Sequence, residues 1–197
     1  MNHYFNQQPN TQHDRKEISF RFLGICLTLM SDASVFSKDH VDPGTTLLIK
    51  SLIQANLSGS FLDLGCGYGV IGCSLKQINP SLQVSACDIN QRAVALTKEN
   101  AERNACEIDV FESDGFEQVS STFDTIALNP PIRAGKEVIY RLFEQSIHAL
   151  NSGGSFYIVM KKQHGALSAK TKLQSIYGNV TLVQRDAGYH VFSCKKS

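Results

Sequence analysis

Apolar positions along the chain change period repeatedly, and the changes predict strands and helices in alternation. Residues 18–30 form two short apolar pieces broken at Gly24, the pattern of a small hairpin. Residues 31–40 are polar with one aromatic, and Asp42-Pro43-Gly44-Thr45 punctuates the chain. Residues 46–55 then carry Leu47, Leu48, Ser51 and Leu52 at helical spacing. A short buried run at 61–64 reads as a strand, followed by a Gly-rich stretch and a helix through Ile71, Cys73 and Leu75 that ends before Pro80. Strand patterns recur at 82–88, 107–111, 125–128 and 154–160, with helical patterns at 91–104, 138–150 and 165–177. Two last strand-like pieces, 180–184 and 189–194, are joined by Arg185-Asp186-Ala187-Gly188, which reads as a hairpin turn.

Alternating strands and helices predict an α/β fold. The expected architecture is a Rossmann-like, seven-stranded, mainly parallel sheet with helices on both faces. An antiparallel C-terminal hairpin lies at one edge, and the short N-terminal hairpin is an extension. Residues 1–17, rich in Asn, Gln, His and Asp, read as a loosely ordered leader, and 18–197 as a single domain.

Composition narrows the function classes. The 197 residues are 42% hydrophobic, enough for a sizeable core, and the formal charge of +1 advertises neither nucleic acid nor an anionic membrane across the whole surface. The six cysteines (Cys26, Cys66, Cys73, Cys87, Cys106 and Cys194) form no C-x-x-C pair, and most sit in apolar runs. Buried, reduced thiols are expected, not a disulfide frame or a zinc site. The six histidines show no ligand spacing, so no metal is expected. Met1 to Glu17 lacks the apolar core of a signal peptide, and no run is long enough to span a bilayer. A soluble, cytoplasmic protein without membrane association is expected.

The chemistry begins at Asp63-Leu-Gly-Cys-Gly-Tyr-Gly69. Gly65, Gly67 and Gly69 follow a strand directly, and glycine permits both a tight turn and close approach of a ligand to the backbone. The sixth position of the run that starts at Gly65 is Val70, which departs from the G-x-G-x-x-G of dinucleotide sites and disfavours a nicotinamide oxidoreductase. Asp88 ends the next strand, 25 positions after Asp63, where a carboxylate can accept both hydroxyls of a ribose. Its alternative role is to cap the helix that follows, for which Asn90 is better placed. Asp114 ends the third strand region and either accepts from an adenine amino group or simply occupies a Ser-Asp-Gly turn.

Asp63-Leu-Gly-Cys-Gly-Tyr-Gly, Asp88-Ile89-Asn90, Ser113-Asp114 and Asn129-Pro130-Pro131-Ile132 together resemble class I S-adenosylmethionine-dependent methyltransferases. The likeness is to the small-methyltransferase-domain group that includes the 16S rRNA guanine-N2 methyltransferases, and it extends to the loop Ser34-Val35-Phe36-Ser37-Lys38-Asp39 and to Asn129 through Lys136. The resemblance implies a site for S-adenosylmethionine, released as S-adenosylhomocysteine. Asp63, Gly65, Cys66, Gly67 and Gly69 would flank its methionine part, Asp88 and Ile89 its ribose, and Asp114 and Gly115 its adenine. Phe36 and Ser37 would close over it beside Asn129.

Asn129, Pro130, Pro131 and Ile132 are the candidate catalytic residues. Two prolines stop a strand and fix its backbone, which presents an amide oxygen and a carbonyl to an amine. Many relatives carry an aromatic at the fourth position, whereas here it is Ile132, so Phe36 or Phe116 is left to supply a stacking surface, or Arg133 to lie over the base or grip a phosphate. Phe36 has ordinary core packing as its bland alternative. Lys38, Arg133, Lys136, Lys161 and Lys162 fall on the same edge and suggest a path for ribosomal RNA, although rim lysines are ordinarily solubilising. A homodimer is compatible with the sequence. The alternatives that stay open are a protein glutamine or DNA adenine as acceptor, and a non-catalytic S-adenosylmethionine-binding subunit.

Overall fold

The computed structural model describes residues 12–33 and 35–197, so most of the expected leader, and Ser34, lie outside the described residues. Two strands, β1 (Lys16–Phe22) and β2 (Ile25–Ser31), precede helix α1 (Pro43–Gln54). The chain continues through β3 (Ser60–Leu64), α2 (Val70–Ile78), β4 (Gln83–Asp88), α3 (Gln91–Arg103), β5 (Ile108–Glu112) and β6 (Phe123–Leu128). It ends with α4 (Lys136–Ser146), β7 (Leu150–Lys161), α5 (Ala166–Tyr177), β8 (Thr181–Asp186) and β9 (Tyr189–Lys195). Short 3-10 turns at Ile132–Ala134 and Lys162–His164 flank α4 and α5.

The central strands alternate between two apolar cores, which is why both sheet faces must be covered. Phe61, Ala127, Val159 and Val191 join the core under α1, α2 and α3. Their neighbours Leu62, Ile126, Leu128, Ile158 and Phe192 join the opposite core under α4 and α5. Successive side chains on a strand point to opposite faces, so these runs are apolar on both sides and belong in the middle of a sheet.

The strand order is β5-β4-β3-β6-β7-β9-β8. Strands β3 to β7 are parallel, and β9 is antiparallel to both β7 and β8. The antiparallel strand is therefore tucked inside the sheet, and β8 forms the edge. Its hairpin closes through Ala187 and Gly188, both at positive φ (44° and 80°), a narrower turn than the four residues expected.

Strand order reverses between β3 and β6, because the chain leaves β3 outward to β4 and β5 and returns on its other side. Ligands of open α/β sheets sit at the carboxyl ends of the strands at such a switch point. Leu64 pairs with Leu128 in register, so the glycine turn and Asn129 leave the sheet side by side.

The N-terminal hairpin buries Ile18, Phe20, Ile25, Leu27 and Leu29 in the first core. Three carboxamides complete the outer edge of β2. Gln77 pairs with the backbone N–H and C=O of Cys26, Asn104 with those of Thr28 and Asn100 with those of Met30, all at 2.7–3.2 Å. An unpaired strand edge is thereby satisfied from two helices. Cys26 is exposed, unlike the other five cysteines, because the alternation that buries Ile25 and Leu27 turns it outward. Among the described residues no helix is long and apolar enough to cross a membrane, and no group of His, Cys, Asp and Glu is placed to hold a metal.

Candidate active site

The glycine turn is bent and pinned by its own backbone. Gly65, Gly67 and Gly69 all have positive φ (68°, 60° and 85°), which a side-chain-bearing residue adopts only with strain. The N–H groups of Gly65 and Cys66 both donate to the Cys87 carbonyl, at 2.8 and 3.0 Å, which ties the turn to the end of β4. Thr97 on α3 donates to the Gly67 carbonyl at 3.1 Å, and its methyl would lie 2.8 Å from a Cβ on Gly69. A Cβ on Gly67 would instead meet nothing within 4 Å, so that side of the turn is open to a ligand.

Two carboxyl groups border the turn. Asp88 accepts from Gly67 N at 3.0 Å and Asn90 N at 2.9 Å, while Asn90 caps α3 through its own side chain. Burial pushes the Asp88 carboxyl up to about 6 in spite of those bonds. Asp63 is fully buried and receives one N–H, from Gly72 at 3.0 Å. Burial raises its carboxyl to about 7, with the Asp88 charge adding to the effect. The Asp63 Oδ1 atom has no hydrogen-bond partner among the described residues. A buried acceptor left unmatched next to an open glycine cradle suits a ligand that carries hydroxyl or ammonium donors.

Asp114 lies in the turn after β5, the strand beside β4. Arg141 from α4 pairs with it at 2.5 Å, so this carboxylate is already engaged by a cation. The pairing joins residues 27 positions apart and has no signature in the sequence.

Asn129 follows β6 and is held from α1. Its Nδ2 donates to Thr45 Oγ1 at 2.9 Å and to Asp42 Oδ2 at 3.4 Å. A carboxylate oxygen can only accept, which fixes the amide with nitrogen inward and leaves Oδ1 without a partner among the described residues. Asp42 also accepts from Thr45 N at 3.0 Å as the N-cap of α1, and from Tyr189 Oη at 3.1 Å. Such a cap contributes on the order of 1 kcal/mol, so Asp42 starts the helix and aims the asparagine together. Gly44 makes room for this cluster, since a Cβ there would sit 2.6 Å from the Tyr189 ring and 2.7 Å from Asp42.

Downstream, the Pro131 carbonyl accepts from Ala134 and the Ile132 carbonyl from Gly135, which forms the 3-10 turn. The Pro130 carbonyl precedes that turn. Ile132 packs toward the α4–α5 core, as does Phe116. Phe36 is 60% exposed, on a segment whose Ser37 carbonyl accepts from Tyr68 Oη at 3.2 Å. Lys161 lies over the Tyr189 ring at 5.5 Å, and Lys136 over Tyr140 at 5.0 Å. Lys162 and Arg133 are exposed on the 3-10 turns of the same rim, and Lys38 is ion-paired with Asp14.

The description "Methyltransferase small domain" matches residues 26–193. The chain belongs to this family. It is 41% identical over 197 residues to the Bacillus subtilis protein YbxB, with 98% of each chain covered. Against a ribosomal RNA small subunit methyltransferase C of Shewanella amazonensis it is 34% identical over 166 residues, covering 82% of this chain and 47% of that one. A solved 16S rRNA N2 methyltransferase of T. thermophilus, in complex with AdoMet and guanosine, superposes with a TM-score of 0.84 at 26% identity, covering 93% of this chain and 51% of that one. The small methyltransferase domain here thus spans about half the length of the rRNA methyltransferases it matches.

Asp42, Gly44, Thr45, Arg141 and Tyr189 are members of the site that sequence reasoning missed. Asp42-Pro43-Gly44-Thr45 reads as a break, but an N-cap followed by proline is also a helix start, and that signal was available. Nothing local marks Tyr189, which arrives through the β9 register opposite Lys161.

Proposed function

We propose that this chain is an S-adenosylmethionine-dependent N-methyltransferase that modifies the exocyclic N2 of a guanine in ribosomal RNA. The observation that carries this reading is the Asn129 amide, locked by Thr45 and Asp42 with its oxygen outward at the switch point. The Asp63 Oδ1 atom and the open side of Gly67 fit the donors and bulk of the cofactor. Asp63, Gly65, Cys66, Gly67 and Gly69 would hold its methionine part, Asp88 and Ile89 its ribose, and Asp114 and Gly115 the adenine side. When bound, the cofactor supplies a sulfonium methyl as the electrophile and leaves as S-adenosylhomocysteine.

The residues of the chain then solve a problem of nucleophilicity. The N2 lone pair of guanine is delocalised into the ring. Asn129 Oδ1 and the Pro130 carbonyl would each accept one N–H, which would leave the remaining lobe toward the methyl donor and stabilise the positive charge that develops on nitrogen. Positioning supplies most of the acceleration, and a proton made acidic by bond formation departs to water. The rim of Arg133, Lys136, Lys161 and Lys162 offers phosphate contacts, and a partner chain, a second copy included, would complete the grip on RNA. With ribosomal RNA as substrate, the enzyme works in the cytoplasm.

The test is transfer of labelled methyl to RNA from cells that lack the gene, followed by identification of the modified nucleoside. Asn129→Ala should abolish transfer and keep cofactor affinity by calorimetry within about threefold, the range expected when a group acts on the acceptor alone. Label in protein glutamine or DNA adenine, with none in RNA, overturns the acceptor.

A further inference from the structure

Phe36 is an exposed aromatic on the rim, and the described residues that flank it are held by hydrogen bonds and burial. Val35 beside it is buried at 3% exposure. Its N–H donates to the Asp32 carbonyl at 3.2 Å. Ser37, at positive φ (57°), gives its carbonyl to Tyr68 Oη and its Oγ to the His40 carbonyl at 2.7 Å. Ser31 Oγ donates to the Lys38 carbonyl at 2.5 Å. The segment thus joins Tyr68 of the glycine turn to Asp42, the residue that holds Asn129. Phe36 stands between those two anchors with 60% of its surface exposed.

Three apolar side chains could face a planar base here. Ile132 and Phe116 are both packed against the α4–α5 core. The third is Phe36. We infer that Phe36 is the platform on which the target purine stacks, not a cover over the cofactor. This rests on the proposed RNA acceptor. An aromatic face held on a fixed backbone loses little freedom when a base lands on it. Stacking on a ring serves any base, so Phe36 holds the purine plane while Asn129 and Pro130 choose the amine. The ring also answers for the aromatic absent at position 132.

The chain contains no tryptophan, so Phe36→Trp places a single reporter at the ring. Its emission should be quenched by guanosine monophosphate and by substrate RNA in the presence of S-adenosylhomocysteine, and little by S-adenosylhomocysteine alone. Phe36→Ala and Phe36→Leu should raise KM for RNA about tenfold or more, the loss expected for one stacked base, with cofactor affinity within about twofold. Phe36→Tyr should restore the wild-type KM. An unchanged KM in Phe36→Ala, or a loss of cofactor affinity in its place, overturns the platform while wild-type transfer to RNA upholds the proposed function. If the wild type transfers no methyl to RNA, the proposed function fails, and quenching by guanosine monophosphate still decides the platform. Absence of quenching by both nucleotide and RNA overturns it.

Discussion

The hydroxyl of Thr45 receives the amide of Asn129 at 2.9 Å, across 84 residues of sequence. The side chain at the end of β6 is thus oriented by the first turn of α1. Thr45→Val keeps the shape and removes the acceptor, so the amide can rotate. Turnover should fall on the order of tenfold to a hundredfold, as expected when a positioning contact is lost. Cofactor affinity by calorimetry should hold. Equal turnover in Thr45→Val and wild type would show that the hydroxyl does not aim Asn129.

Gly44→Ala tests the same cluster by crowding. The added methyl would meet the Tyr189 ring at 2.6 Å and Asp42 at 2.7 Å, and both belong to the network behind Asn129. A destabilisation of about 1–3 kcal/mol is expected from overpacking, read as a lowered denaturation midpoint. Turnover should fall further than stability alone explains. A variant that keeps wild-type turnover would separate Tyr189 from the chemistry.

Cofactor binding should depend on acidity through Asp88. Burial raises its carboxyl to about 6, and the ionised form is the one that accepts two ribose hydroxyls. Affinity should therefore hold above pH 7 and weaken as pH falls through about 6, since binding to the charged form has to displace a proton. Asp88→Asn should bind weakly with a flat profile between pH 5 and 8. Calorimetry across that range decides it, and a wild type with no acid limb would contradict the assignment.

Asp63 predicts the pH dependence of the cofactor-free fold. Its folded pKa, about 7, lies above its ordinary value of 3.8. Such a group favours folding while protonated, and that contribution is full below pH 3.8 and lost as pH rises through about 7. Asp63→Asn keeps an acceptor for Gly72 and removes the charge. At pH 8 its melting temperature should exceed wild type by roughly 2–4 °C for each kcal/mol recovered, and the gap should close toward pH 5. A gap that widens in acid would reverse the sign of the argument.

The framework was legible because it rests on local rules. Two-sided apolar strands, glycines at positive φ after β3 and a proline pair after β6 each announce themselves within a few residues. Boundaries shifted where a cap or a pairing decided them. α1 starts at Pro43 instead of 46 because Asp42 caps it, and β7 starts at Leu150 instead of 154 because Leu150 pairs with Phe123. The helix expected to run to residue 150 ends at Ser146 for the same reason. The relationships that aim the site were not legible. Thr45 with Asn129, Tyr189 with Asp42 and Arg141 with Asp114 are products of register and helix packing, and no spacing encodes them.

The carboxamide edge of β2 has one more consequence. Asn100 is shared, because the same Nδ2 that donates to the Met30 carbonyl also donates to the Tyr68 carbonyl in the glycine turn, at 2.8 Å. Local opening of the hairpin and loosening of the turn are therefore expected to be coupled through one side chain. The Met30 amide, which donates to Asn100 Oδ1, becomes a slow clock for order in the glycine turn: the more firmly that turn is held, the longer its deuterium should take to enter.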